Sequence, residues 1–331
     1  MTLVQFQAAD NIGDRFLSLL HEAGIQPPVG SSLEDELLSL TQLIAVMKNP
    51  SLVSGAEHQV DILRSAAGFH DLAAKVLTVA PLPDFATFVQ HLRLIGETKI
   101  RPASLSQNAT SGPQDDTARK IAELYIGCLA AHVGTDVVLD SPTNAKGDNP
   151  DVMFTVRECD TAKPPQRWAL AIKTISSKQG QTIFERIKEG AGQIDDPKCA
   201  AERGMVIINA KSALNHDALW NTTFTDLESA QKALGDQLDQ LIDAADRDRP
   251  QHEWDDLFTR KVVRPVLFLG QSLVRLPTPA GPHTPTALKM LKAYGAHGPL
   301  DPVGHRLAHD MNHWMQVILF GIPGGAGYLP R

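Results

Sequence analysis

A chain of 331 residues with 43% apolar side chains can bury one large core, or a core with a smaller companion. Its 31 basic and 38 acidic residues leave a net charge of -7, which excludes a molecule that grips phosphate backbones by overall charge, although a local basic groove stays open. Cys128, Cys159 and Cys199 are scattered without CxxC spacing, against a disulfide framework or zinc ribbon and for a reducing interior. No basic segment precedes an apolar run near residue 1, and nothing approaches the roughly 18 to 20 apolar residues of a membrane span. The expectation is a soluble cytoplasmic protein with no membrane partner.

From residue 1 to about 100 the apolar spacing is helical, as in "DRFLSLLHEAGI" and "EDELLSLTQLIAVM", with Asn49-Pro50 and "APLPD" as punctuation. The stretch 101–116, "RPASLSQNATSGPQDD", has no periodicity and reads as a linker. In "DDTARKIAELYIGCLAAHVG", Asp115 or Asp116 caps a helix and Gly134 ends it. Short β-branched runs follow: "TDVVL" (135–139), "DVMFTV" (151–156), "RWALAI" (167–172) and "GMVIIN" (204–209). Between the last two, "QTIFERIKEGAGQI" puts Ile183, Phe184, Ile187 and Ile194 on one helical face. The order helix, strand, strand, strand, helix, strand predicts an α/β core over 117–270, a meander feeding a crossover helix. A helix follows Trp220 with Leu227, Leu234, Leu238 and Leu241 in register, then a strand at 265–270. For 271–331 the expectation is a Pro-rich connection and one or two helices.

Three residues invite a chemical reading. Phosphodiester hydrolysis needs a metal to supply hydroxide, charge to stabilise the pentacoordinate phosphorus, and often a lysine beside the water. Asp151 opens one strand and Lys173 closes the next, so in a hairpin both reach one edge of the sheet. The residue two before Lys173, on its face, is Ala171.

These motifs and their order resemble the PD-(D/E)XK nuclease superfamily, the restriction-endonuclease-like fold, over roughly residues 115 to 210. The resemblance implies a mixed central sheet flanked by helices, with further helical regions at both ends. Pro150-Asp151 matches the second motif, Lys173 the third, and Glu123 in "ARKIAELYIG" the early helical acid. It implies Mg²⁺ or Mn²⁺ held by Asp151 and Glu123, water positioned by Lys173, and a DNA substrate in bacterial defence or restriction. It also implies a second copy or a partner protein where both strands are cut.

Ala171 departs from the family's acid, and three readings follow. The acid has migrated to the next helix, where Gln181, Glu185, Glu189 and Gln193 step by four and Glu185 or Glu189 completes the metal site. Alternatively, Ala171 is an engineered replacement. Otherwise the chain is a non-catalytic nucleic-acid-binding or regulatory module. Gln193, Lys178, Lys188 and Arg186 are candidates for water or phosphate contacts, and Asp148 and Glu158 for spare acids, each against the plainer reading of a solvated surface position. A rival site is "HRLAHDMNHWMQ", where His305, His309 and His313 recur at i, i+4 beside Asp310; two such histidines can ligate Zn²⁺, but without the HExxH glutamate.

Overall fold

The computed structural model describes residues 11–52, 57–97, 105, 116–142, 149–156, 164–247, 249–278 and 281–316. Among the described residues, four α-helices come first: α1 (Ile12–Glu22), α2 (Ser32–Lys48), α3 (Glu57–Val79) and α4 (Val89–Glu97). Then α5 (Asp116–Val133) leads into β1 (Thr135–Leu139), β2 (Val152–Val156) and β3 (Gln166–Thr174), and α6 (Gly180–Asp195) crosses to β4 (Arg203–Asn209). Beyond β4 lie α7 (His216–Asn221), α8 (Leu227–Asp246), α9 (Gln251–Asp255), β5 (Val266–Thr278), β6 (Gly281–Tyr294) and α10 (Pro302–Gln316).

Local chemistry accounts for the boundaries. Ile12, Phe16 and Leu20 recur every four residues and give α1 its buried stripe. A reciprocal cap opens α8: the Ser229 N–H donates to Asp226 Oδ1 at 2.7 Å, and the Asp226 N–H donates to Ser229 Oγ at 3.3 Å. The strand β4 reads as an unbroken apolar run because both of its faces are covered.

One six-stranded mixed sheet in the order β1 to β6 organises the molecule. Neighbours pair antiparallel from β1 through β3, parallel from β3 through β5, and antiparallel at β5 and β6. Alternation then divides the core. Val152, Phe154, Leu170, Ile172 and Ile207 face the layer of α1, α3 and α5, whereas Ala169, Ala171, Val206 and Ile208 face α6 and α8. The N-terminal helices therefore share a core with the sheet rather than forming one of their own.

The stretch after residue 270 differs from expectation. It opens with a long hairpin, β5 against β6, paired from Val266↔Tyr294 to Thr278↔Gly281, and helix returns only at α10. In "TALKMLKAY" good helix formers sit in a strand, because pairing with β5 and burial of Leu288 and Leu291 outweigh weak local preference. Pro282 and Pro285 are admissible there because β6 is an edge strand of this sheet. Of the expected linker 101–116, only Leu105 and Asp116 fall among the described residues. No helix among the described residues is long and apolar enough to cross a membrane.

A buried ion pair ties the first helical layer to the sheet. Lys289 of β6 donates to Asp71 of α3 at 2.7 Å, and the Tyr125 hydroxyl of α5 donates to the same carboxylate at 2.7 Å. Burial pushes the Asp71 carboxyl upward, but Lys289, Lys75 and the two hydrogen bonds outweigh it and hold the group below its ordinary value. Removing one partner strands a buried charge, so Asp71→Ala is expected to cost about 3–5 kcal/mol in urea unfolding, and Asp71→Ala with Lys289→Met much less. A single-variant loss below about 1 kcal/mol would show that the pair does not anchor this layer.

Candidate functional site

The antiparallel register of β2 and β3 pairs Val152 with Leu170, which sets Asp151 beside Ala171 and Ile172 where β2 begins and β3 ends. The Ile172 N–H donates to Asp151 Oδ2 at 2.6 Å, so the carboxyl is fixed by backbone. Glu123 comes down from α5 to within hydrogen-bonding reach of Asp151. It also receives Lys120 Nζ at 2.9 Å and lies 3.3 Å from His91 Nε2 of α4. On the other side, Lys173 Nζ lies 3.1 Å from Glu189 Oε1 of α6, and Arg186 donates to Glu189 Oε2 at 2.6 Å. Asp151, Glu123 and Lys173 are 7%, 4% and 3% exposed, whereas Glu189 opens to solvent. The site is thus a buried pair of carboxyls with a rim acid reaching its lysine.

Burial explains the titration of this edge. It drives Asp151 up from 3.8 to about 7, and the Glu123 charge adds to it, while Lys173, the Ile172 N–H and Lys120 oppose it. Burial also raises Glu123, against the pull of Lys120. At Glu189 desolvation is outweighed by the bonds from Arg186 and Lys173, so its carboxyl lies below its ordinary value. His91 falls to about 4 through burial and the nearby Lys120, against Asp151 and Asp140, and is neutral near pH 7.

Ala171 is fully buried in the α6 layer. Directly above it is Gly190, where an added Cβ would come within 2.9 Å of Val206 Cγ1 and 3.4 Å of the Ala171 Cβ. The helix approaches β3 and β4 so closely because these positions are small. A carboxylate at 171 would therefore lie beneath packed helix.

Of the two helical acids raised as substitutes, only Glu189 reaches the edge. Glu185 is exposed and accepts from Gln181 at 2.7 Å. Gln193 is buried along α6, and Lys178 and Lys188 are exposed. Asp148 and Glu158 lie outside the described residues. His305, His309 and His313 sit on the outer face of α10, whose Leu307, Ala308, Met311 and Met315 point inward; His309 pairs with Asp310 at 3.2 Å and His313 packs its ring 5.8 Å from Trp314. Among the described residues no three His, Cys, Asp or Glu side chains converge as a ready metal cage.

Two residues at this edge escaped the sequence reading. Lys120 precedes Glu123 by one helical turn, a spacing that was readable, but His91 is brought in by tertiary packing of α4 on α5 and has no local signature. Compared with family models, curated proteins and solved structures, the chain matches none.

The donor set is two hard, oxygen-bearing side chains held against each other in a low dielectric, which suits a Mg²⁺ ion that keeps waters in its remaining positions. The charge of ionised Asp151 costs folding stability because its folded pKa lies above 3.8. The gain from Asp151→Asn in metal-free protein is therefore expected to grow as pH rises from 3.8 to about 7 and then level off. Urea midpoints of wild type and variant across pH 4 to 8 measure this as a difference, which cancels the opposite trend from buried His91. A difference independent of pH would contradict the assignment.

Proposed function

We propose that the chain is a Mg²⁺-dependent endonuclease acting on DNA, similar to the PD-(D/E)XK nucleases, with the usual strand acid replaced by Glu189 from the following helix. The reading is supported above all by one observation: Glu123, Asp151, Lys173 and Glu189, from α5, the start of β2, the end of β3 and α6, meet at one sheet edge. The order of elements, with a β-meander leading through α6 to a parallel β4, accords with the resemblance.

Asp151 and Glu123 would hold the metal, whose chemistry is to lower the pKa of water and to offset charge on the phosphate. Lys173 is positioned to orient a water or to stand against the developing negative charge, and Glu189 holds the ammonium in place until substrate displaces it. Lys178 and Lys188, exposed near the site, are available to phosphates, and a second copy or partner protein would supply the second cut of a duplex. Cytoplasmic location and a role in bacterial defence remain part of this proposal.

Cleavage of plasmid and linear DNA with Mg²⁺ or Mn²⁺ tests it. The unaltered chain is expected to cut; Asp151→Asn and Lys173→Ala are expected to lose about 10²–10⁴-fold, the range for groups placed at a reacting centre. Glu189→Gln is expected to fall at least tenfold and Glu185→Gln to stay near wild type. If only Ala171→Glu cuts, the chain is a disarmed nuclease. If all forms are silent on DNA and RNA while folded, the alanine marks a non-catalytic binding or regulatory module.

A further inference from the structure

The nuclease motifs lie within residues 115 to 210, yet one group at the carboxyl edge comes from outside them. His91 stands on α4, in the helical layer that precedes the sheet, and is 1% exposed. Leu92 and Ile95 of the same helix, and Phe88 one turn earlier, are fully buried, so position 91 belongs to a packed face where an apolar side chain is the ordinary occupant. An imidazole sits there instead, with its Nε2 3.3 Å from Glu123 Oε2 of α5. Its Nδ1 is buried and meets no hydrogen-bond partner among the described residues. A half-satisfied polar ring inside a core costs stability, which packing alone does not favour.

The chain around His91 is clipped to the first strand. In the 3-10 turn Pro83–Phe88, Asp84 Oδ2 accepts from the Val137 N–H at 3.1 Å and the Thr87 hydroxyl donates to the Val137 carbonyl at 3.2 Å. Gln90 Oε1, next to His91, accepts from the Ser141 hydroxyl at 3.3 Å. These three bonds tie the start of α4 to β1 and to the residues just past it, and so hold His91 over the carboxyl edge. Besides Glu123, the charged groups that act on the ring are Lys120, Asp151 and Asp140. Lys120 and His91 both approach Glu123 Oε2, and two donors on one oxygen fix the orientation of the carboxyl. They differ in charge, since Lys120 brings a cation and the imidazole is neutral near pH 7. A neutral donor orients a carboxylate without offsetting its pull on a metal ion.

We infer that His91 is a positioning residue of the candidate metal site, whose Nε2–H holds the Glu123 carboxylate in the orientation that binds the ion. This role rests on the nuclease reading in taking Glu123 as a metal ligand. It makes α4, which lies outside the stretch that resembles the nucleases, part of the site.

Calorimetric titration of the full chain with Mn²⁺, without nucleic acid, tests it in wild type, His91→Leu, His91→Gln and Glu123→Gln. His91→Leu is expected to bind Mn²⁺ about 10- to 100-fold more weakly, the range for outer partners of metal ligands, with a metal-free urea midpoint no lower than that of wild type. His91→Gln, whose amide N–H can stand in for Nε2–H, is expected to restore most of the affinity. With Glu123→Gln already in place, His91→Leu is expected to add little, because both act through one carboxyl. Unchanged affinity in folded His91→Leu overturns the role, as do an equal further loss in the Glu123→Gln background and absence of Mn²⁺ binding by wild type. Where His91→Leu does not fold, the ¹⁵N imidazole spectrum of wild type with Mg²⁺ at pH 8 decides: a proton on Nε2 and none on Nδ1 supports the role, and the reverse tautomer overturns it. The expected Mn²⁺ pattern in a chain that cuts neither DNA nor RNA keeps His91 in this role and sinks the nuclease reading. Cutting by wild type with unchanged Mn²⁺ binding in His91→Leu does the reverse.

Discussion

The arrangement of this molecule depends on how closely α6 lies on the sheet. Ala169 and Ala171 of β3, with Gly190 of the helix, form a small-residue layer, and nothing larger fits between Gly190 and Val206. At the helix's first residue the constraint recurs: a Cβ on Gly180 would fall 1.7 Å from the Ala244 carbonyl of α8. Held at both places, α6 has little freedom to slide. Its middle turn is therefore presented at a fixed height over the end of β3, which sets Glu189 against Lys173.

That geometry decides from which side an acid can approach Lys173. A carboxylate at 171 and one at 189 approach Lys173 from different directions, one from the strand beneath the helix and one from the helix rim. A longer side chain at 171 would extend under the close crossing of α6 at Gly190. The second is exposed and stays ionised through Arg186 and Lys173. Small residues at the crossing and an acid on the rim are thus two sides of one packing solution.

Much of this was legible in the chain. β-Branched runs gave β1 to β4 to within a residue or two, since sheet burial demands apolar runs, and the spacing of Ile183, Phe184 and Ile187 marked α6. Asp151 and Lys173 were placed at one edge by strand polarity alone, and the register bears out that placement. Three things were not legible. The β5–β6 hairpin is written in helix-favouring residues and exists because long-range pairing wins. His91 reaches Glu123 only through the packing of α4. The choice between Glu185 and Glu189 turns on where α6 rests, which periodicity along one helix does not encode.

The ends of the parallel strands collect charges that folding alone does not favour. Asp151 and Glu123 share a dry pocket in which ionising both is opposed by burial and by each other. By contrast, Asp71 and Lys289 satisfy one another and read as structural. Buried carboxyls that oppose each other's ionisation have their protonation set by burial and by each other rather than by solvent.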